Sequence, residues 1–335
     1  MDYNSLGRSG LKVSRLCLGA MNFGGPTDEA TSARIVASAR DAGVNFLDTA
    51  DAYSRGESER VVGRAIAGDR DWWVVATKIA NPVAEGPNGG GLSRSWVMRG
   101  AEASLGRLNL DVIDILYLHK EDHSTPMAET VRALADLVHA GKIRHFGVSN
   151  HRAWRLAEIC RLADDFGIDR PIVSQPYYNA VNRMPEVEHI PACRYFGLGV
   201  VPYSPVARGV LAAKYRADAE PEAGSRAARG DRRLMQTEWR PESMAIAETL
   251  RVHAEARGIS AAQFATAWVL HNADVTATIA GPRTEAHFAD YLGALDYAFT
   301  AEDEALVDSL VSPGHPSTPG YNDPAYPIEG RRLRS

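Results

Sequence analysis

The stretch Phe46-Leu47-Asp48-Thr49-Ala50-Asp51-Ala52-Tyr53 sets an acid directly after two apolar residues and a phenol five positions later. Two more apolar runs also end in an ionisable group: Trp73-Val74-Val75-Ala76-Thr77-Lys78, and Ile113-Asp114-Ile115-Leu116-Tyr117-Leu118-His119. Short apolar runs of this kind read as buried strands. Asp48, Tyr53, Lys78 and His119 then fall at the same end of successive strands. Their chemistry is the transfer of one proton to or from a substrate oxygen. A free tyrosine titrates at about 10, a poor match to neutral pH. A neighbouring ammonium is expected to lower that value, and a carboxylate beside the lysine to hold it in place. A histidine opposite can orient a carbonyl oxygen. Each residue taken singly has a plainer role: a cap, a packing ring, a snorkelling amine, a structural hydrogen bonder. Their common strand end is what favours chemistry.

Two rival chemistries fit less well. His119, Glu121, Asp122 and His123 form a tempting metal cluster, but Leu16-Cys17-Leu18-Gly19-Ala20-Met21 at the first strand offers no His-x-His to complete it. No metal is expected. A serine hydrolase of the strand–turn–helix kind wants Gly-x-Ser-x-Gly, which is missing. Later strands end instead in hydrogen-bonding groups: Ser149 and Asn150, then Gln175, then Tyr203-Ser204-Pro205. Ser149, Asn150 and Gln175 can hold a flat ring bearing an amide, with Tyr203 stacked on its face. Turn and cap chemistry is the alternative for the serine and asparagine. Gly281-Pro282-Arg283-Thr284 opens a helix, and a helix N-terminus with an arginine is a phosphate site. His287 and Tyr291 continue the face of Arg283 at four-residue steps, to meet a ribose or phosphate and to stack under a base. Packing against a neighbouring helix is the other reading of those two.

These groups need a scaffold that gathers strand ends. Strand-like runs recur at 15–19, 45–48, 73–78, 113–118, 143–148, 171–175, 198–203 and 276–280. Helical patterns fill the intervals, at 28–42, 57–67, 93–107, 126–140, 151–166 and 183–195, then 241–257, 260–272, 285–295 and 301–311. Thr125 is the expected cap of the 126–140 helix, Pro126 its first turn and Gly141 its end. Alternation of this kind favours a parallel sheet. A doubly wound sheet usually carries Gly-x-Gly-x-x-Gly after its first strand, and Gly19 to Gly25 lacks that spacing. The count of eight predicts a (β/α)8 barrel, with its site at the C-terminal mouth. A hairpin over 3–14 precedes it, extra helices accompany it, and a tail over 312–335 is placed across the mouth. The whole chain, 1–335, is read as one domain. The polar segment 207–240, with Arg226, Arg229, Arg232 and Arg233, is long enough to be functional and is expected to close over a pyrophosphate.

The chain has 335 residues, of which 45 % are hydrophobic and 24 % charged, as in an ordinary globular protein. A net charge of −5 offers no basic footprint, so neither nucleic acid nor an anionic membrane is an expected partner. Three scattered cysteines, Cys17, Cys160 and Cys193, suit a reducing compartment. A start without signal-peptide character points to the cytoplasm. Oligomeric state is not legible.

Over nearly its whole length the chain resembles the aldo-keto reductase family, including its potassium-channel β-subunit branch. The matching stretches are Leu6 to Ser14, Phe46 to Tyr53, Ala76-Thr77-Lys78, Gly86-Pro87-Asn88 with Gly91-Leu92-Ser93-Arg94, and Gly141-Lys142-Ile143-Arg144. Gly147 to Asn150, Tyr203-Ser204-Pro205 and Gly281-x-Arg283 complete the set. The resemblance implies an (β/α)8 barrel that binds NADPH, with NADH less favoured, and reduces a small-molecule carbonyl substrate. It makes Asp48, Tyr53, Lys78 and His119 the catalytic tetrad. It puts Ser149, Asn150 and Gln175 on the carboxamide and Tyr203 on the nicotinamide face. Ser204, Pro205, Gly209, Leu211 and Lys214 follow the pyrophosphate, Gly19 and Met21 join the cofactor site, and Gly281 and Arg283 meet the 2′-phosphate. Where the family often has glutamine, glutamate and asparagine around adenosine, this chain has His287, Asp290 and Tyr291. The resemblance also admits two other roles: a regulatory cofactor-binding subunit, or alcohol oxidation as the working direction.

Overall fold

The computed structural model describes residues 1–215, 220–221 and 224–328. A two-stranded antiparallel hairpin comes first, β1 (Tyr3–Ser5) against β2 (Lys12–Ser14). Then eight parallel strands follow: β3 (Leu16–Gly19), β4 (Phe46–Asp48), β5 (Val74–Ile79), β6 (Ile113–Leu118), β7 (Ile143–Ser149), β8 (Val173–Gln175), β9 (Gly199–Val200) and β10 (Thr278–Ala280). They pair in the order β10-β3-β4-β5-β6-β7-β8-β9. The sheet closes on itself beyond β9. Val200 bridges Val275 in parallel, and Ile279 N donates to Pro202 O at 3.0 Å. The result is the (β/α)8 barrel.

The helices are α1 (Glu29–Asp41), α2 (Glu57–Ile66), α3 (Arg94–Leu108), α4 (Met127–His139), α5 (Ala153–Asp165), α6 (His189–Phe196), α7 (Arg232–Thr237), α8 (Pro241–Ala256), α9 (Ala261–His271), α10 (Glu285–Gly293) and α11 (Ala301–Leu310). Local chemistry sets their ends. Asp28 caps α1, Ser93 caps α3 and Thr284 caps α10, each accepting a backbone N–H of the first turn. Ser260 with Gln263 and Thr300 with Asp303 form reciprocal capping boxes for α9 and α11. None of the described helices is long and apolar enough to cross a membrane.

Strand parity decides what faces the barrel axis. Residues alternate between faces. Cys17, Phe46, Val74, Ala76, Ile115, Tyr117 and Val173 pack together inside. Leu16, Leu18, Leu47, Val75 and Leu116 pack outward against the helices. Counting on by two from the inward set reaches Asp48, Lys78, His119 and Gln175, and from Gly147, where an added Cβ would meet the inward Val173 and Tyr117, it reaches Ser149. The same alternation that fills the core therefore aims the ionisable groups into the mouth.

Four local expectations are corrected. Thr125 does not cap α4: its hydroxyl donates to Asp122 at 2.7 Å, and Pro126 holds the cap position. The 183–195 helix is split into a turn at Met184–Glu186 and the shorter α6. β9 is two residues rather than the run 198–203: Val201 N and Tyr203 N still donate to Ser174 O and Pro176 O, but neither Pro176 nor Pro202 has an N–H to complete the ladder. The polar segment 207–240 holds α7, started by Asp231 accepting Leu234 N at 2.9 Å. Residues 216–219 and 222–223 of that segment, and 329–335 of the tail, lie outside the described residues.

Candidate active site

Asp48 closes β4, and the chain then makes a short helical turn, Tyr53–Gly56, before α2. Ser54 and Arg55 sit in that turn at φ 48° and 57°, the left-handed region that side chains rarely adopt. The turn lays the Tyr53 ring over Lys78, whose Nζ is 4.8 Å from the ring centroid. Lys78 is fully buried. It donates to Asp48 Oδ1, to Thr49 O at 2.8 Å and to Tyr53 Oη at 3.3 Å. Gln175 Nε2 secures the other Asp48 oxygen at 2.9 Å. The His119 ring meets Tyr53 edge-on, with centroids 5.8 Å apart.

Burial disfavours charge on all of these groups, and their neighbours decide the outcome. Burial works against the Lys78 ammonium, but Asp48 and Tyr53 outweigh it and hold its pKa above the ordinary lysine value. Burial pushes the Tyr53 phenol up, and Lys78 only partly opposes it. The expected net lowering of Tyr53 is therefore corrected: the phenol keeps its proton. Burial first, then Lys78 and Lys120, hold His119 well below the usual histidine value, so its imidazole is neutral. Asn81 Nδ2 lies 3.0 Å from His119 Nδ1. With that nitrogen accepting from the amide, the ring proton sits on Nε2, which can donate.

A cleft of about 740 Å³ opens over this group, within the span of small-molecule sites. Near the tetrad it is lined by Ser149, Asn150, Gln175 and Tyr203. These groups are knitted together. Ser149 Oγ donates to Gln175 O at 2.8 Å, Tyr203 Oη to Asn150 Oδ1 at 2.8 Å and Asn150 Nδ2 to His119 O at 2.9 Å. Gly19 and Met21 form one wall, and Ser204, Pro205 and Gly209 carry the cleft outward. The far end is basic. Lys214 Nζ lies 2.7 Å from His287 Nε2, Arg283 Nη1 donates to Gly224 O at 3.0 Å, and Arg226 lines the same end. A Cβ added at Gly281 would meet nothing within 4 Å, so the floor there is open. An amide- and ring-binding platform at one end and a cationic cradle at the other fit a dinucleotide laid along the cleft.

A sequence model of the aldo/keto reductase family matches residues 15–312. The chain belongs to the aldo/keto reductase family. It is 37 % identical over 304 residues to a probable voltage-gated potassium channel subunit beta of Arabidopsis thaliana, covering 88 % of this chain and 92 % of the relative. It is 36 % identical over 335 residues to the uncharacterized oxidoreductase YrpG of Bacillus subtilis, covering 96 % and 99 %. It is 33 % identical over 346 residues to a versiconal hemiacetal acetate reductase of Aspergillus parasiticus, covering 94 % and 99 %. As a member of this family the protein is an oxidoreductase.

This aldo/keto reductase departs from the sequence reading in places. Leu211 is fully buried in the core and is not among the cleft-lining side chains. Tyr291 lines the cleft yet is buried in the same core, its hydroxyl beside the Gly281 backbone, so it is more wall than platform. Asp290 accepts from Ser260 Oγ at 3.3 Å. The acids beside His119 tie loops down: Asp122 accepts Leu92 N at 2.8 Å and Ser124 N at 2.9 Å, and Glu121 accepts Arg152 N at 2.6 Å. Among the described residues, no group of three or more His, Cys, Asp or Glu is placed to hold a metal. Sequence reasoning missed Asn81, Arg208, Ser225 and Tyr326, which all line the cleft. Asn81 had a signal, since it follows the lysine strand directly. Ala80 between them takes φ 130°, the sharp bend that brings the amide to His119.

Proposed function

We propose that this aldo/keto reductase uses NADPH to reduce the carbonyl group of an aldehyde or ketone, with Tyr53 as the general acid. The observation that carries the reading is the Tyr53 hydroxyl itself. It is half-buried at the cleft wall, protonated and 3.3 Å from the Lys78 ammonium. NADPH, when bound, supplies a hydride from the nicotinamide. Ser149, Asn150, Gln175 and Tyr203 would hold the ring end. Ser204, Pro205, Gly209 and Lys214 would follow the phosphates, and Gly281, Arg283, Arg226, His287 and Asp290 the adenosine end.

The chain's own part is proton control. His119 Nε2–H donates to the substrate oxygen and fixes its position. Tyr53 gives that oxygen its proton as negative charge develops there. The phenolate left behind faces Lys78, whose charge then matters most. Asp48 keeps the ammonium charged and in place, and Gln175 keeps Asp48 in place. Run backwards, the same groups take a proton from an alcohol. The test is consumption of NADPH across a panel of aldehydes, ketones and keto-sugars, repeated with NADH. Turnover of at least one carbonyl is expected. Tight NADPH binding without turnover of any would overturn the reading and leave the regulatory role implied by the channel-subunit relatives.

A further inference from the structure

The cationic groups along the cleft are not equivalent. Arg233 is paired with Asp323 through two hydrogen bonds of 2.5 and 3.0 Å, and Arg226 with Asp231 at 3.0 Å. Arg283 and Lys214 stand at the adenosine end with the partners already named. Arg208 differs. It lines the cleft, yet its Nε is buried with no hydrogen-bond partner, and no described residue pairs with its guanidinium. It is presented from a turn in which Ala207 and Arg208 take φ 46° and 52°. Lys120, next to His119, also lines the cleft. The lining carboxylates are committed elsewhere: Asp48 to Lys78, Asp290 to Ser260. Outside the lining, Glu238 and Asp231 feel the Arg208 charge, but burial pushes the Glu238 carboxyl up toward its neutral form and Asp231 is paired with Arg226. Arg208 is also close enough for its charge to act on Tyr53, Tyr203 and Tyr326. Two cations thus flank the reacting end with no acid in the cleft wall to answer them.

We propose that Arg208, assisted by Lys120, binds an oxyanion carried by the substrate, so that the preferred substrates are aldehydes or ketones bearing a carboxylate or a phosphate. The inference rests on the reductase reading above and deepens it to a substrate class. A guanidinium grips either group through paired, charge-assisted hydrogen bonds, whereas an ammonium acts as a point charge. A neutral ester or free alcohol cannot answer that charge.

The experiment measures kcat/KM for a series of oxo acids of increasing chain length, each beside its methyl ester. A phosphorylated aldehyde is run beside its dephosphorylated form. The best anion is expected to exceed its neutral partner by about ten- to a hundredfold, the usual range for a charge-assisted contact. Arg208→Gln should collapse that ratio toward one, Arg208→Lys should keep part of it, and added salt should shrink it. Which pair shows the larger ratio identifies carboxylate or phosphate. Equal rates for charged and neutral partners in the wild type would overturn the proposal while leaving the reductase reading intact. So would an Arg208→Gln variant that loses NADPH affinity, read by fluorescence titration, in step with the ratio, since the arginine would then hold the cofactor. If no carbonyl is turned over, the reductase reading falls alone. Binding of the oxo acids to the NADPH-loaded protein, with and without Arg208, then decides: binding lost in Arg208→Gln supports the site, and no binding to the wild type sinks it.

Discussion

Tyr53 keeps its proton because burial outweighs the lysine beside it, and Lys78 keeps its charge because Asp48 outweighs burial. The pair rests as phenol and ammonium rather than as a phenolate, as the proposed roles of acid and stabiliser require. Replacing Tyr53 with Phe removes the proton and leaves the ring. We expect kcat to fall by about 10²–10⁴-fold, the usual worth of a positioned general acid, with NADPH affinity nearly unchanged; a Phe variant with wild-type kcat would discard Tyr53 as the acid. Asp51, two residues before Tyr53, tells a different story. It is buried, neither carboxyl oxygen has a hydrogen-bond partner, and its pKa is pushed up to about 7, by burial first and Glu59 next. Between the ordinary carboxylate value and about 7, the folded state holds a proton that the unfolded state has lost. Stability therefore falls as pH rises through that window, by at most roughly 4 kcal/mol at ~1.4 kcal/mol per unit. Asp51→Asn carries no such charge. The gap between its Tm and that of the wild type should widen from about pH 4 to about pH 7 and then level off, and parallel Tm–pH curves for the two proteins would contradict this.

At the scale of elements, the barrel depends on close seams between helices. Gly63 of α2 lies against the end of α3 so tightly that a Cβ there would stand 2.1 Å from Leu108 O. Backbone cannot give way as a flexible side chain can. Gly63→Ala should cost about 1–3 kcal/mol, the range for overpacking, whereas Gly68→Ala, with nothing within 4 Å, serves as the control. Equal melting temperatures for the two variants would show that α2 and α3 can part freely. The strands were legible because each carries a short apolar run, three of them leading into an ionisable group, and parity alone then gives the direction of Asp48, Lys78 and His119. The shortness of β9 was not, since its run stays apolar through Val201 while two missing N–H groups, those of Pro176 and Pro202, interrupt the ladder. α7 was hidden because its arginines and Gln236 read as loop. Arg208 was passed over for a similar reason: an arginine in a turn looks like a solvated cation until its neighbours are known. The sign of the Tyr53 shift needed the degree of burial, which spacing does not contain.

For the whole molecule, the cleft is walled by parts far apart in the chain: the strand ends, the loop after β10, the 224–240 segment and the tail. Arg283 meets Gly224 across the far end of the cleft, so two walls are joined there, where on the proposed reading a 2′-phosphate would sit. Arg283→Ala should weaken NADPH by about ten- to a hundredfold, from the loss of a charged hydrogen bond of roughly 1.5–3 kcal/mol. NADH, without that phosphate, should be barely affected. Titration with both cofactors checks this, and an equal loss for both would move the phosphate elsewhere.

The hairpin and the tail mark opposite poles. The Gly7 turn of the hairpin is pressed against the backbone of Ile172, Gly197 and Gly199, at the strand starts, so β1 and β2 floor the barrel. At the other pole Arg152 donates to the carbonyls of Tyr326 and Pro327 at 3.1 and 3.0 Å, and Ala325 and Tyr326 form part of the cleft wall. Anyone fixing this protein to a bead or an electrode therefore has a choice with a consequence. A tether on the hairpin side leaves the opening facing the solution, free to exchange reactant and product. A tether drawn from the tail sets the support across the doorway.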